Sequence, residues 1–163
     1  MTDWHPPTSR ERLEILQSTS TVAIVGMSSD PSRASYFVAT YLLSSSCCFD
    51  EVWFVNPKGG EIFGKPVYPS LADLPQAPDL VDVFRRESEL ANVAHEFVAI
   101  PGTRTFWAQL GLFSQEAVDI VTAAGRVAVM NRCLKIEHAR FAGGLHTSGF
   151  DTGIVSARRR PDL

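Results

Sequence analysis

The chain has 163 residues, 45% of them hydrophobic and 20% charged, with a formal net charge of −3. That composition suits one folded domain with a sizeable core and excludes a disordered chain. The slight negative balance offers no general field for nucleic acid or an anionic membrane, so neither is expected as a partner.

The first residues, Met1-Thr2-Asp3-Trp4-His5-Pro6-Pro7, show no charged leader followed by an apolar core. No apolar run approaches the roughly 20 residues of a membrane span. Three cysteines, with Cys47 and Cys48 adjacent, make a poor disulfide framework and point to a reducing cytoplasm. The four histidines are scattered and no Cys/His cluster has metal-ligand spacing, so no metal is expected.

Thr8-Ser9-Arg10-Glu11 has the form of a capping box leading into Leu13, Ile15 and Leu16, which predicts a helix. Thr21-Val22-Ala23-Ile24-Val25 is nearly all apolar, as in a strand covered on both faces, and it stops at Gly26. A helix is expected from about Ala34 to Leu43. Val52-Trp53-Phe54-Val55 reads as a second strand, ended by Asn56-Pro57. Leu80-Val81-Asp82-Val83-Phe84 is a third, with a helical stretch near Ser88 to Ile100. Thr105-Phe106-Trp107-Ala108 and Val127-Ala128-Val129-Met130 are the fourth and fifth, with a helix from Ser114-Gln115-Glu116 to Gly125 between them. Leu134 to Ala142 reads as a closing helix, and Gly143-Gly144 onward as a glycine-rich loop. Trp53, Phe54 and Trp107 are expected in the core. His138 reads as a packing or capping residue.

Strand and helix alternating five times predict an α/β, Rossmann-like, doubly wound fold. The sheet is expected to be five-stranded and mostly parallel, with helices on both faces. One domain spans 1–163: a helix over 8–18, the core over 21–142 and a tail over 143–163. Ligand sites in such folds lie outside the carboxyl ends of the strands. Those ends are Gly26-Met27-Ser28-Ser29, Asn56-Pro57-Lys58, Phe84-Arg85-Arg86, Gln109-Leu110-Gly111 and Asn131-Arg132-Cys133.

Gly26 to Ser35 stands where a phosphate-binding loop would open the first helix. Gly26 permits a sharp turn, while Ser28, Ser29, Arg33 and Ser35 could meet an anion. The segment is not G-x-G-x-x-G, because Ser28 and Pro31 replace two glycines; a plain strand-to-helix turn with a serine cap stays open. The second strand ends in Asn56, not the carboxylate that holds the ribose of NAD, and Lys58 behind it favours an extra phosphate near the ribose. NADP and coenzyme A both carry one. The plain alternative for Lys58 is an exposed loop residue. No Tyr-x-x-x-Lys pair or Ser/His/Asp ordering supplies a catalytic set, and no catalytic residue is assigned. About thirty residues follow the fifth strand, too few for a usual substrate domain.

Val25-Gly26-Met27-Ser28, Val55-Asn56-Pro57-Lys58-Gly59-Gly60, Gly64-Lys65-Pro66-Val67-Tyr68-Pro69-Ser70-Leu71, Val81-Asp82-Val83-Phe84-Arg85-Arg86, Gln109-Leu110-Gly111 and Arg132-Cys133-Leu134-Lys135-Ile136-Glu137-His138 together resemble the small stand-alone bacterial CoA-binding proteins. These are relatives of the CoA-binding domain of the succinyl-CoA synthetase alpha subunit. The likeness runs from Thr21 to His138. It implies coenzyme A as cofactor, with its diphosphate over the N-terminus of the first helix and with Gly26, Ser28, Ser29 and Pro31 lining the first loop. Asn56 and Lys58, with Pro57 between, would face the adenosine and its 3′-phosphate. Val83, Phe84 and Arg85 would flank the groove, and Ala108, Gln109 and Gly111 would run beside the pantetheine arm. Arg132 is a further candidate contact, with an internal carboxylate as its alternative partner. One departure is Asn131, where the family often has Asp.

The resulting expectation is a non-catalytic protein binding CoA or acyl-CoA. An NADP-dependent reductase or a redox-sensing nucleotide-binding regulator is the rival. Cys133 is read as a small buried residue in preference to a reactive thiolate. A homodimer or a protein partner stays open.

Overall fold

A computed structural model describes residues 4–44, 47 and 49–148. The apolar runs form the centre of a sheet because each is buried along its length. β1 (Thr21–Val25) is covered at all five positions, and so are all four residues of β5 (Leu80–Val83) and β6 (Thr105–Ala108). With β2 (Glu51–Val55) and β7 (Val127–Val129) they pair in parallel, β1 lying between β2 and β5. All five expected strands are present.

The sheet has seven strands, not five. β3 (Glu61–Ile62) and β4 (Lys65–Tyr68) extend it in the order β3-β4-β2-β1-β5-β6-β7. β4 runs parallel to β2, and β3 is antiparallel to β4. The two residues between them, Phe63 and Gly64, have φ of 55° and 72°. Positive φ at both positions matches the tight hairpin turn whose twist suits paired strands. Two- and four-residue strands bearing a proline at position 66 lack the apolar length by which the others are read.

Alternation along the strands builds two cores. Ala23, Val25, Val81, Val83, Phe106 and Ala108 pack beneath α3 (Leu90–Val98) and α4 (Gln115–Ala123). Val22, Ile24, Leu80, Trp107 and Val129 pack on the other face beneath α2 (Ala34–Leu42) and the start of α5 (Leu134–Ser148). Phe54 and Trp107 are fully buried, as expected.

α1 (Ser9–Gln17) begins with the expected capping box. Thr8 Oγ1 accepts from the Glu11 N–H at 3.1 Å, and Glu11 Oε1 accepts from the Thr8 N–H at 2.8 Å. Ser114 caps α4 by accepting from the Ala117 N–H at 3.1 Å. The stretch from Ser88 divides into a 3-10 turn at Glu87–Glu89 and α3. The closing helix is longer than expected: α5 continues through Gly143 and Gly144 to Ser148, so that part of the tail is helical and not loop. The tail beyond, over 149–163, lies outside the described residues. Among the described residues, no helix is long and apolar enough to cross a membrane.

Candidate functional site

The chain passes from β1 to β2 on one side, then returns to β5 on the other side of β1. The connections that leave the carboxyl ends of β1 and β5 therefore run in opposite directions, and such sheets open a crevice between them. Gly26 stands at this point. Its φ is +88°, and a Cβ there would lie 2.3 Å from the Phe84 carbonyl oxygen. Only glycine lets the end of β1 approach the end of β5 so closely.

Two cavities border this edge. The first, of about 420 Å³, is lined by Gly26, Ser28, Arg33, Ser35, Phe84 and Gln109, with Leu110 and Leu112 also contributing. The second, of about 330 Å³, is lined by Ser28, Ser29, Asn56, Lys58 and the β3–β4 hairpin residues Glu61 and Ile62. Ser28 borders both. A third concavity, of about 480 Å³, lies elsewhere, between α1 and the residues around Arg126 at the start of β7. That is the amino end of the sheet, where parallel strands do not open a crevice.

The loop after β1 satisfies much of its own backbone. The Ser28 N–H donates to Ser35 Oγ at 3.0 Å, the Asp30 N–H to Ser28 Oγ at 3.0 Å, and the Ser32 N–H to Asp30 Oδ1 at 2.9 Å. The backbone N–H and hydroxyl of Ser32 hold the Asp30 carboxyl below its ordinary value. What remains open is the start of α2, where Arg33 occupies the N-cap without a side-chain hydrogen bond. The first-turn N–H groups, from Ala34 to Tyr36, lack intrahelical partners and face the loop with the positive end of the helix dipole.

Asn56 braces the wall of the second cavity. Its Nδ2 donates to the Met27 carbonyl at 2.9 Å, and its Oδ1 accepts from the Lys58 N–H at 2.9 Å. Both ends of the amide thus hold protein, clamping the first loop to the turn that presents Lys58. Lys58 is exposed and borders the second cavity.

The other candidates lie apart from the cavity walls. Val83 and Ala108 are fully buried in the core under α3 and α4. Pro31, Pro57 and Gly111 are exposed in loops. Arg85 lies beside Gly26 but pairs with Glu89 at 3.7 Å. Arg132 lies 3.8 Å from Glu137, the internal carboxylate foreseen as its alternative partner. Asn131 takes φ of 60°, and its Oδ1 accepts from the Gly111 N–H at 2.6 Å, so it ties two strand-end loops together. His138 is buried against Tyr41, with Nδ1 2.8 Å from the phenol oxygen, and burial lowers its pKa. It packs, as its setting in the sequence suggested. Cys133 is half-buried beside the α2/α5 core.

Two contributors escaped the sequence reading. The β3–β4 hairpin walls the second cavity, and its signal in the sequence was the glycines at 59, 60 and 64, all of which take positive φ. Leu112 lines the first cavity with nothing in its sequence setting to mark it.

A mostly parallel sheet with helices on both faces and a cleft at the switch point defines a Rossmann-like α/β protein. Residues 20–139 match the family described as "CoA binding domain", and the chain belongs to that family. It is 36% identical over 133 residues to the uncharacterized protein YneT of Bacillus subtilis, covering 82% of this chain and 96% of that one. A hypothetical protein from Pyrococcus horikoshii superposes with a TM-score of 0.76 at 32% identity, over 86% of this chain and 98% of its own. A protein from Thermus thermophilus does so with 0.74 at 34% identity, over 82% and 98%.

Proposed function

We propose that this chain binds coenzyme A or an acyl-CoA across the two neighbouring cavities and performs no chemistry on it. The observation that carries this reading is their shared wall at Ser28, at the switch point and beside the uncapped start of α2. An elongated ligand with a phosphorylated middle fits that shape. The diphosphate lies over the first turn of α2, where free N–H groups and the dipole favour an anion. The adenosine occupies the cavity between Asn56 and the β3–β4 hairpin, and Lys58 faces its 3′-phosphate. The pantetheine arm follows Phe84, Gln109, Leu110 and Leu112. Membership of the CoA-binding family supports the same ligand.

Calorimetric titration with CoA, 3′-dephospho-CoA, NADP and NAD tests the reading. CoA should bind and the dephospho form should bind more weakly. Lys58→Ala should weaken CoA roughly fivefold, as expected for a solvent-exposed charge pair, and leave 3′-dephospho-CoA unaffected. Equal losses for both ligands would remove Lys58 from that role. Heat with NADP and none with CoA would replace the reading with a reductase or a redox-sensing regulator.

A further inference from the structure

Among the described residues, three buried side-chain oxygens have no hydrogen-bond partner: both carboxyl oxygens of Asp82 and Oε1 of Gln109. Orphaned polar atoms are rare because each loses its hydration without replacement. The strand register brings the two residues near one another. Asp82 on β5 is in register with Trp107 on β6, and Gln109 stands two residues beyond Trp107. Alternation directs Asp82 to the same sheet face as Leu80 and Trp107, the face under α2 and α5. A strand spacing of about 4.8 Å and a rise of about 3.3 Å per residue place the two Cα atoms about 8 Å apart. An Asp and a Gln side chain span that gap. Gln109, only 8% exposed, lines the first cavity, and Asp82, at 0%, belongs to the layer beneath it.

We propose that Gln109 reads a carbonyl oxygen on the arm of the bound ligand, and that Asp82 is the positioning residue that turns the Gln109 amide for this task. The inference rests on the coenzyme A reading, since that ligand brings amide carbonyls and, when acylated, a thioester carbonyl along this wall. Burial pushes the Asp82 carboxyl well above its ordinary value of 3.8, which favours the protonated acid, the form with an O–H to donate. The buried Oε1 of Gln109 is the acceptor that needs such a donor. With that bond made, the amide N–H groups point into the cavity, where the ligand supplies the acceptor. An ionised Asp82 would instead draw the amide nitrogen inward and present Oε1 to the ligand. The direction of one amide thus depends on one proton held in an apolar layer. No bond to the ligand is made or broken.

The test titrates the parent, Gln109→Leu, Asp82→Leu and Asp82→Asn with CoA, acetyl-CoA and adenosine 3′,5′-bisphosphate, which lacks the arm. The readout is the ratio of acetyl-CoA affinity to bisphosphate affinity, since acetyl-CoA carries both the arm amides and the thioester. Gln109→Leu and Asp82→Leu should each lower it about tenfold. Asp82→Asn, whose amide still donates, should hold it within about twofold of the parent. A larger loss for acetyl-CoA than for CoA assigns the contact to the thioester carbonyl, and an equal loss assigns it to an arm amide. Asp82→Leu removes an orphaned carboxyl and is expected to be no less stable than the parent; Asp82→Val replaces it if it does not fold. A parental ratio in Gln109→Leu or in the folded apolar variant at position 82 overturns the inference, and so does an Asp82→Asn loss equal to theirs. In those cases bisphosphate binding by the parent leaves the coenzyme A reading standing. A parent that binds neither compound overturns both.

Discussion

At Gly26 a single missing methyl group decides whether two strands can share their ends. The residue combines φ of +88° with a carbonyl oxygen 2.3 Å from where a Cβ would sit. Gly26→Ala should therefore cost roughly 2–4 kcal/mol, because left-handed strain and a backbone clash add. Urea unfolding measures it, and an unchanged midpoint would mean that the ends of β1 and β5 separate freely. Asp82 shows the opposite behaviour, a costly group whose carboxyl oxygens have no hydrogen-bond partner among the described residues. Its pKa is raised by desolvation, so the folded chain keeps a proton that the unfolded chain releases above about 3.8. The stability due to that proton is full below the unfolded value and is lost as pH rises toward the folded one, at up to about 1.4 kcal/mol per pH unit. The unfolding free energy of the parent, minus that of Asp82→Asn, should fall as pH rises above the unfolded value of about 3.8. A flat difference would mean that Asp82 is ionised in the fold. Gly26 was legible in the sequence because a glycine ending an apolar strand implies a sharp turn. Asp82 was not. Between Val81 and Val83 it reads as one polar position in a strand, and its lack of a partner is a property of the whole sheet face.

Among the elements, those with local signals were found where expected. The Thr8–Glu11 capping box and the Ser114 cap rest on contacts three residues apart, within the span that a sequence pattern describes. β3 and β4 were missed because short strands at a sheet edge need little apolar length. The end of the closing helix was misplaced because Gly143-Gly144 reads as a breaker, although an isolated glycine lowers helix stability by only about 1 kcal/mol. α1 and α5 are joined by a buried ion pair. Arg12 Nε donates to Glu137 Oε1 at 2.7 Å, and the Arg12 guanidinium also reaches the Pro7 carbonyl at 2.7 Å. Arg132 and Arg140 approach the same carboxylate at 3.8 and 3.5 Å, but both are well exposed and add little. Glu137→Leu leaves Arg12 buried without its anion and should cost about 3–5 kcal/mol. Combining it with Arg12→Met should recover most of that loss in chemical denaturation. A double variant no better than the single one would show that packing, not charge, holds the two helices.

For the whole molecule, alternating apolar runs determined the class of fold before any coordinates. Continuous burial of β1, β5 and β6 requires helices on both faces, and helical crossovers make the strands parallel. The strand-end segments could be named on the same grounds, since each follows its own strand. Which of their residues face one cleft was decided only by the tertiary structure. Ser28, Asn56 and Lys58 converge because β2 lies beside β1, and Gln109 joins Gly26 and Ser35 because the chain reverses at the switch point. Val83 and Ala108 fell to the core face by the two-residue period of their strands. The sequence by itself therefore settled what depends on neighbours a few residues apart: strand, cap and turn. Tertiary structure alone decided what depends on distant segments meeting, such as the pairing of Arg12 with Glu137 and the burial of Asp82. The physical reason is that burial and electrostatic environment belong to a side chain's surroundings in space, which local residue patterns do not contain.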